Sequence, residues 1–512
     1  MGSVRWIFIL VMLAAVSCSE HKKTEADGPG FYREKYRPQF HFSPEKSWTN
    51  DPNGLVFYKG EYHLFYQYYP DSTIWGPMHW GHAISRDLMH WEHLPVALYP
   101  DSLGYIFSGS AVADTANTSG LGTKDNPPLV AIFTYHNPVL EKRGTNNHQY
   151  QGLAYSTDNG RSWTKYRGNP VIANPGLRDF RDPSVSWNEA AGKWILTLAA
   201  GDHIRFYSST DLINWSFESE FGKNKGAHGG VWECPSLFSM PVENEPGTVK
   251  WILLVSINPG GPLGGSATQY FTGSFDGHAF TPDKDTIQWV DFGPDNYAGI
   301  TWSGTGSRRV FLGWMNNWNY ANRVPTVKWR GQMTIPRELS LVSVEKNYVL
   351  RNFPLKELES ITHKIKPETD DNGYTIKLPG GSEGQLKFDI RLPASDKSFL
   401  FVLQKDSARN LSFSFIPELG KAWFDRSHSG ETAFAGDFAA GRMEIPVKFR
   451  PAGNEITILI DKCSAEIFIN GGETVATVLF FPQEDFNTAR LHTVPYSPDP
   501  PDVTVSTIES VW

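Results

Sequence analysis

A repeating strand pattern constrains the fold of this chain more than any other feature of its sequence. Five apolar segments recur at a spacing of roughly sixty residues, which is typical of one unit in a repeat architecture. They are EYHLFYQYY (61–69), LVAIFTYH (129–136), KWILTLAAG (193–201), KWILLVSIN (250–258) and RVFLGWMN (309–316). After each of the first four, a second strand leads into a similar turn: SRDLMHW (85–91), STDNGRSW (156–163), STDLINW (209–215) and SFDGHAF (274–280). Each turn has a Ser, an acidic residue two positions later and a following aromatic residue, which indicates that one hairpin is reused.

This repeat predicts an all-β fold. Five inner strands and four hairpins favour a five-bladed β-propeller in which each blade is an antiparallel sheet. The alternative is a β-sandwich whose hairpins resemble one another by chance. In a propeller the inner strands of all blades converge at one end of the axis, so we expect polar residues from distant parts of the sequence to form a site there.

The periodicity fades after IPRELSL (335–341), which predicts a second domain. Leu355, Leu358 and Ile361 have helical spacing and indicate a short linker helix. Alternating strands then predict a C-terminal β-sandwich: QLKFDIRL, SFLFVLQ, LSFSFI, AWFDRS, EITILID, AEIFING and ATVLFF. The predicted segments are a signal peptide (1–17), a polar tether (18–35), the propeller (36–345), a linker (346–366) and the sandwich (367–512).

The N-terminus predicts export. Arg5 precedes WIFILVMLAAV, an apolar run of 11 residues that is too short to span a bilayer and fits a secretory signal. The following AVSC resembles a bacterial lipoprotein cleavage site, at which Cys18 would be acylated, although such sites usually carry Leu where this chain has Ala15. The lipid on Cys18 is the only membrane contact that we predict.

Charge and composition narrow the class of partner. The formal net charge is −8 and the Lys and Arg residues are scattered, whereas a nucleic-acid partner would require a basic stripe. Aromatic residues make up 14% of the chain and suit sugar binding, although most of the Trp residues are expected in the core. We predict no cofactor, and the sequence does not indicate an oligomeric state.

Three further features have structural explanations. His79 and His82 lack a third ligand at metal spacing, so we do not predict a metal site. Instead, we predict that both are structural histidines near the pocket. Cys234 and Cys463 have no disulfide or metal spacing and are expected to be free buried thiols. The Gly-rich segment 258–270 has no following Gly-Lys-Ser/Thr, so it is predicted to be a loop at the rim of a cleft rather than a phosphate loop.

Three carboxylates are the best candidates for chemistry: Asp51 in NDPNG, Asp182 in FRDPSV and Glu233 in WECPSLF. Each is followed by Pro, directly or after one residue, although an isolated Asp-Pro is most often a plain turn. Because Pro restricts the preceding residue, we expect Asp51 and Asp182 to have extended backbone. Each carboxylate lies near the start of a predicted blade, which would bring the three together.

Paired carboxylates in an aromatic-rich cleft point to cleavage of a glycosidic bond, in which one is ionised and the other carries a proton. Asn50 and Asn53 are expected to favour the ionised form of Asp51, which makes it the predicted nucleophile. Trp232 and Cys234 are expected to favour the protonated form of Glu233, which makes it the general acid/base. The adjacent Arg181 is expected to keep Asp182 ionised, as an acceptor for sugar hydroxyls.

These motifs resemble those of glycoside hydrolase family 32, which contains invertases, inulinases, levanases and related fructan hydrolases. WTNDPNG, FRDPSV and WECPSLF match the three signature segments of the family in order and spacing, and the similarity extends from about Tyr36 to the C-terminus. Further matches are FYQYYP, WGPMHWGHA, FSGS, DNYAG, GWMNNW, DRS and AEIFING. Thr49 departs from the first signature, where Met or Ile is commoner, but it adjoins the site without performing chemistry.

The resemblance implies a five-bladed propeller followed by a β-sandwich, and a retaining mechanism through a covalent fructosyl-enzyme intermediate. It implies that Asp51 is the nucleophile, Glu233 the acid/base and Asp182 the residue that stabilises the transition state. It also implies a fructose subsite lined by Asn50, Gln67, Trp75, Phe107, Ser108, Arg181, Asp295 and Trp314.

The favoured function is an exported exo-acting fructosidase that releases fructose from levan- or inulin-type fructans and from sucrose. The alternatives are an endo-acting levanase or inulinase, a related five-bladed arabinanase or xylosidase, and a sugar-binding propeller without catalysis. The intact NDPNG and WECP segments favour a fructosidase, and the presence of all three carboxylates favours an enzyme.

Overall fold

A computed structural model describes residues 32–370, 375–378, 385–393, 398–439, 441–450, 452–494 and 501–512. Regular structure in these ranges is mostly β-strand, together with an α-helix, α1 (Pro138–Lys142), and 3₁₀ helices at Ala321–Arg323, Lys356–Ile361 and Pro417–Leu419. The predicted signal peptide, most of the predicted tether and Cys18 lie outside the described residues. Within the described ranges, no helix has the length and apolar character needed to cross a membrane.

Five antiparallel sheets form the blades of a propeller, which confirms the prediction. The first blade contains β1 (Ser47–Tyr58), β2 (Glu61–Tyr69), β3 (His79–Ser85) and β4 (Glu92–Leu98). The second contains β5 (Tyr105–Ala113), β6 (Leu129–His136), β7 (Gln149–Ser156) and β8 (Thr164–Lys165). The third contains β9 (Phe180–Asn188), β10 (Lys193–Ala200), β11 (Ile204–Ser209) and β12 (Ser216–Phe221). The fourth contains β13 (Val231–Pro241), β14 (Val249–Asn258), β15 (Ala267–Phe275), β16 (Phe280–Pro282) and β17 (Gln288–Trp289). The fifth contains β18 (Tyr297–Thr301), β19 (Val310–Trp314), β21 (Arg337–Val344) and β22 (Asn347–Pro354), while the short β20 (Trp329–Arg330) pairs with β1 and ties the last blade to the first.

The strands around the axis are not the ones predicted. β1, β5, β9, β13 and β18 contact one another in a closed ring, so the first strand of each blade is innermost. The five apolar segments of the repeat are instead β2, β6, β10, β14 and β19, the second strand of each blade. These strands are strongly apolar because both of their faces are buried between blades. In β14, for example, Leu253 and Val255 pack toward the third blade, whereas Ile252 and Leu254 pack toward the fifth.

The repeated hairpin is confirmed. It joins the third and fourth strands of each of the first four blades, and in three of them the Ser hydroxyl donates to the Asp two positions later. These bonds are Ser85 to Asp87 (3.1 Å), Ser156 to Asp158 (2.7 Å) and Ser209 to Asp211 (2.9 Å). In the fourth hairpin Asp276 accepts the backbone N–H groups that follow it. The side chains of this motif therefore stabilise the turn locally.

The second domain is a β-sandwich of two antiparallel sheets, as predicted. One sheet contains β23 (Thr362–Ile365), β35 (Asp502–Ile508), β26 (Leu386–Leu392), β31 (Asn454–Ile460), β32 (Ser464–Ile469) and β33 (Thr474–Leu479). The other contains β24 (Glu368–Thr369), β25 (Thr375–Lys377), β34 (Thr488–Val494), β27 (Ser398–Asp406), β28 (Arg409–Ile416), β29 (Lys421–Asp425) and β30 (Met443–Pro446). All seven predicted strands are present, and their alternate apolar residues form one core between the sheets.

The segment between the domains differs from the predicted linker. The predicted helix is a 3₁₀ helix, Lys356–Ile361, and Leu355, Leu358 and Ile361 are buried. However, the predicted linker range 346–366 also contains β22, which pairs with β21 along its whole length, so the chain completes the fifth blade before it crosses.

Buried charges join the two domains. Arg337 of β21 donates to Glu466 of the sandwich (Nε, 3.0 Å) and to Asp291 of the propeller (3.0 Å). His41 lies between Asp461 (2.8 Å) and Glu466 (2.7 Å), and although burial opposes it, these two hydrogen bonds raise the pKa of His41 to about 9. Removing one member would leave a buried charge unpaired, so the contact depends on the whole set.

Candidate active site

The three predicted carboxylates lie on innermost strands: Asp51 on β1, Asp182 on β9 and Glu233 on β13. At each of these positions the pairing with the second strand of the blade shifts in register, which marks a β-bulge. A bulge inserts an extra residue and redirects the side chains around it. The same irregularity occurs in β5 and β18, so every blade has a bulge in its innermost strand.

Two residues of the site have unusual backbone angles. Asp182 has φ of +65° and Cys234, next to Glu233, has φ of +46°. The expectation of an extended backbone is therefore wrong for Asp182, because the bulge places it in the left-handed region. Asp51 does lie within a strand, β1. Side-chain-bearing residues seldom adopt positive φ, and such strain is concentrated at functional sites.

The carboxylates open into one cavity of about 380 Å³. Nine of the eleven residues predicted for the site line it: Asn50, Asp51, Gln67, Trp75, Phe107, Ser108, Arg181, Asp182 and Glu233. The other lining residues are His136, Glu141, His148, Gln149, Arg178, Asp179 and Trp318. A second cavity of about 870 Å³ is lined by innermost-strand residues and shares Ser108 and Asp182 with the first. The site therefore adjoins the space along the propeller axis.

Asp51 is buried and accepts three hydrogen bonds. Its donors are the Ser108 hydroxyl (2.6 Å), the Asn50 amide (3.0 Å) and the Cys234 thiol (3.5 Å). Burial raises the pKa of Asp51, while these donors lower it and favour the carboxylate. The expected contribution of Asn50 is confirmed. The expected contribution of Asn53 is wrong, because its amide lies against Ser108 and Gln67.

The carboxyl group of Glu233 is held on both sides. Arg181 donates to Oε1 through Nε (3.0 Å) and Nη2 (2.8 Å), and the Tyr297 hydroxyl donates to Oε2. Burial raises the pKa of Glu233, Arg181 opposes this effect, and the charge of Asp51 adds to it. The expectation that Trp232 determines this setting is wrong, because Trp232 lies in an apolar cluster between the third and fourth blades. Consecutive strand residues point to opposite faces, so sequence neighbours need not be neighbours in space.

Among the three carboxylates, Asp182 has the weakest stabilisation of its negative charge. Burial raises its pKa to about 7, against the charge of Arg181, and the charges of Glu233 and Asp51 add to the rise. Its Oδ2 accepts the backbone N–H of Cys234 (3.1 Å). Arg181 was expected to keep Asp182 ionised, but its guanidinium pairs with Glu233 and with Asp179 (2.6 Å) instead.

Aromatic rings form one wall of the cavity. Trp75 is 39% exposed and meets the edge of Phe107 at a centroid distance of 6.1 Å. Phe107 stacks on His136 at 4.4 Å and 5°. Gln67 donates to the carbonyl of Ile106 (3.1 Å). A partly exposed ring above polar groups is a typical platform for a sugar.

Two residues predicted for the fructose subsite do not line the cavity. Asp295 is fully buried at the domain interface, where it pairs with Arg426 of the sandwich (2.7 Å). Trp314 is also fully buried and packs on Trp318, which lines the cavity in its place. The family match gave these residues a role in binding that their positions in this structure do not support.

The remaining predicted features are located as follows. His79 contacts the carbonyl of Pro77 (2.9 Å), and His82 is buried against His63 (3.1 Å). Cys234 and Cys463 are free and buried, as expected, but the sulfur of Cys234 also contacts Asp51 and Asp182. The Gly-rich loop lies beside the cavity, because its Ser266 accepts the backbone N–H of Trp318 (3.1 Å). This position agrees with the predicted location at the rim.

Several polar residues of the cavity were not predicted. Glu141 of α1 contacts His136 (3.1 Å), and Arg178 and Asp179 precede β9. The sequence GLRDFRDP contains four charged residues close together, which is a signal that could have indicated Arg178 and Asp179. Tyr297, which donates to Glu233, was also not predicted. It belongs to DNYAG, a segment that matches the family, but the match did not assign a role to this Tyr.

Comparisons with known proteins agree with this geometry. The model of the N-terminal domain of glycosyl hydrolases family 32 matches residues 41–352, and the model of the C-terminal domain matches residues 355–509. The chain belongs to glycoside hydrolase family 32. It is therefore a glycosidase of the β-fructofuranosidase type.

Named relatives in this family share most of the chain. A levanase from Bacillus subtilis is 43% identical, over 99% of this chain and 75% of the relative. An extracellular exo-inulinase from Aspergillus awamori is 38% identical, over 94% of this chain and 96% of the relative. The crystal structure of an exo-inulinase from Aspergillus awamori superposes with a TM-score of 0.86 and 36% identity, over 94% of this chain and all of that chain.

Proposed function

We propose that this family 32 enzyme releases terminal fructose from β-fructans of the levan or inulin type, and from sucrose, with retention of configuration. In this proposal Asp51 is the nucleophile, Glu233 the general acid/base and Asp182 the stabiliser of the transition state. The observation that carries it is the convergence of these three carboxylates, each with a different set of partners, on one cavity.

The partners suit the proposed steps. Ser108 and Asn50 hold Asp51 as an anion that attacks the anomeric carbon, while the Glu233 carboxyl gives its proton to the leaving oxygen. After the leaving group departs, Glu233 takes a proton from the water that releases fructose. Fructose hydroxyls that donate to Asp182 would lower its pKa and keep it ionised. Its negative charge would then stabilise the oxocarbenium-like transition state.

The size of the cavity supports action at chain ends. A volume of about 380 Å³ is near the lower end of the range of ligand pockets and suits one or two sugar rings better than a long internal segment. Relatives named exo-inulinase agree with exo action, while the levanase name agrees with a fructan substrate. Products of levan and inulin should be separated by chromatography over time. Free fructose alone from the outset supports the proposal, and a ladder of oligosaccharides supports endo action instead.

Substitution of the nucleophile tests the mechanism. Asp51→Asn should remove turnover of sucrose, inulin and levan while thermal unfolding remains close to that of the wild type. Asp125→Asn, which changes an exposed Asp in the same way, is the matched control and should retain full activity. Near-normal hydrolysis by Asp51→Asn would show that the assignment is wrong.

We also propose export followed by lipid attachment at Cys18. This proposal rests on the AVSC segment and on relatives named as extracellular. Cells expressing the wild type or Cys18→Ser should be labelled with radioactive palmitate and fractionated. Label and membrane association that both depend on Cys18 support the anchor, whereas unlabelled wild-type protein in the soluble fraction contradicts it.

A further inference from the structure

The contact between the domains leads directly to the proposed proton donor. Residues 291–295, which we call the docking segment, follow β17 and precede β18. The docking segment pairs with β33 of the sandwich through backbone hydrogen bonds from Phe292 to Val475 (2.8 Å) and from Asp295 to Thr477 (3.2 Å). A Cβ on Gly293 would lie 2.2 Å from the backbone of Thr477, so the approach is very close.

Side chains fix the docking segment at both ends. At its start, Asp291 accepts the Thr477 backbone N–H (2.9 Å) and hydroxyl (2.6 Å). At its end, Asp295 accepts the Arg426 guanidinium (2.7 Å), the Tyr320 hydroxyl (2.5 Å) and the Leu479 N–H (2.8 Å). Arg426 belongs to the sandwich and is itself buried, with further bonds to backbone carbonyls. The sandwich therefore determines where the docking segment lies.

Tyr297 follows Asp295 by two residues. Its side chain is buried, and its hydroxyl donates to Oε2 of Glu233. Arg181 binds only Oε1 of Glu233. Among the side chains that the structure describes, Tyr297 is the one that binds Oε2. A proton donor must have this oxygen aimed at the leaving group, and small displacements of a catalytic group lower rates considerably.

We infer that the β-sandwich positions the proton donor of the propeller: Arg426 holds Asp295, and the docking segment thereby places Tyr297 against Glu233. Tyr297, Asp295 and Arg426 are positioning residues in this scheme, since they act through Glu233. The inference rests on the proposed function, in which Glu233 protonates the leaving oxygen. It gives the second domain a part in catalysis besides support of the fold.

Substrates with different leaving groups test the inference. Sucrose requires a proton on its departing sugar, whereas p-nitrophenyl β-D-fructofuranoside has a leaving group that departs without one. Tyr297→Phe and Asp295→Asn should each lower kcat/KM for sucrose about tenfold or more, and change kcat/KM for the aryl fructoside less than about threefold. Tyr297→Phe should also move the alkaline limb of the sucrose pH profile to higher pH, because its hydroxyl no longer stabilises the Glu233 anion.

Controls distinguish a loss of positioning from a loss of folding and from an error in the assignment of Glu233 as the proton donor. Lys387→Gln removes the ion pair between β26 of the sandwich and Glu359 of the 3₁₀ helix that joins the domains (2.6 Å). Two strands separate β26 from β33, so this variant should leave the ratio of the two kcat/KM values unchanged. If Asp295→Asn does not fold, Arg426→Lys is the second perturbation. Equal losses on both substrates, or no loss, in the folded variants would overturn the inference. Glu233→Gln is the reference: if it too fails to discriminate between the substrates, the proposed function is wrong, and if only the positioning variants fail, this inference alone is wrong.

Discussion

The elevated pKa of Asp182 predicts that this residue destabilises the free enzyme at neutral pH. Its carboxyl group is buried, lacks a direct cation and lies near two other carboxylates. Replacement by Asn removes the charge and retains the shape. Asp182→Asn should therefore unfold at a higher temperature than the wild type at pH 8, even though it should lose most of its activity.

The magnitude follows from the change in pKa on folding. The pKa rises from 3.8 to about 7, and each pH unit corresponds to about 1.4 kcal/mol, so the ionised group costs at most about 4 kcal/mol. The folded protein binds this proton more tightly than the unfolded chain, so this contribution to stability is present below about pH 4 and is lost as the pH rises through about 7. Asn is a weaker acceptor than a carboxylate for the Cys234 N–H, which offsets about 1–2 kcal/mol. The net gain at pH 8 is about 2 kcal/mol.

Calorimetry at several pH values measures this effect. At about 2 °C per kcal/mol for a large domain, the melting temperature of Asp182→Asn should exceed that of the wild type by about 4 °C at pH 8. At pH 4.5 the difference should vanish or reverse, because Asp182 is then protonated in the folded protein. Asp125→Asn, on the surface, should show no such dependence on pH. A difference of the same size at both pH values, or a destabilised variant at pH 8, would refute the reasoning.

Three further predictions concern the site and the domain contact. Ser108→Ala removes a 2.6 Å bond to Asp51, so kcat/KM for sucrose should fall about tenfold or more and the acid limb of its pH profile should move to higher pH; an unchanged profile would contradict this role. Gly293→Ala should lower the melting temperature by several degrees in calorimetry, since the new methyl group would clash with the Thr477 backbone, and a stability equal to that of the wild type would contradict the close approach. Trp75→Ala should raise KM for inulin about tenfold with little change in melting temperature, because the ring is partly exposed at the cavity; steady-state kinetics that show a loss only in kcat would exclude a platform role.

Local patterns in the sequence predicted much of the fold. The continuous apolar strands such as β14 are visible because both faces are buried, and the Ser-x-Asp hairpins are visible because they are stabilised within a few residues. The innermost strands were harder to recognise, since they combine polar residues, Pro and bulges. For this reason the number of blades was predicted correctly, but the second strand of each blade was predicted to be the innermost one, a place that the first strand occupies.

In the candidate site, too, local motifs were predictable from the sequence, whereas contacts between distant residues were not. Asp51, Asp182 and Glu233 were recognised because each belongs to a short motif, and they do meet in one cavity. The partners of these carboxylates were predicted poorly from adjacent residues, as Arg181 shows by pairing with Glu233 rather than with Asp182. Neighbours in a strand point apart, while bulges turn side chains toward residues of other blades.

The sequence by itself therefore determined the architecture and the chemical groups of this enzyme, because strand periodicity and short motifs are local properties of a chain. Only the tertiary structure decided which groups hold which: Ser108 on Asp51, Tyr297 on Glu233, and a sandwich arginine on Asp295. These contacts join residues far apart in the sequence, and their energies depend on burial and on distances that no local pattern encodes.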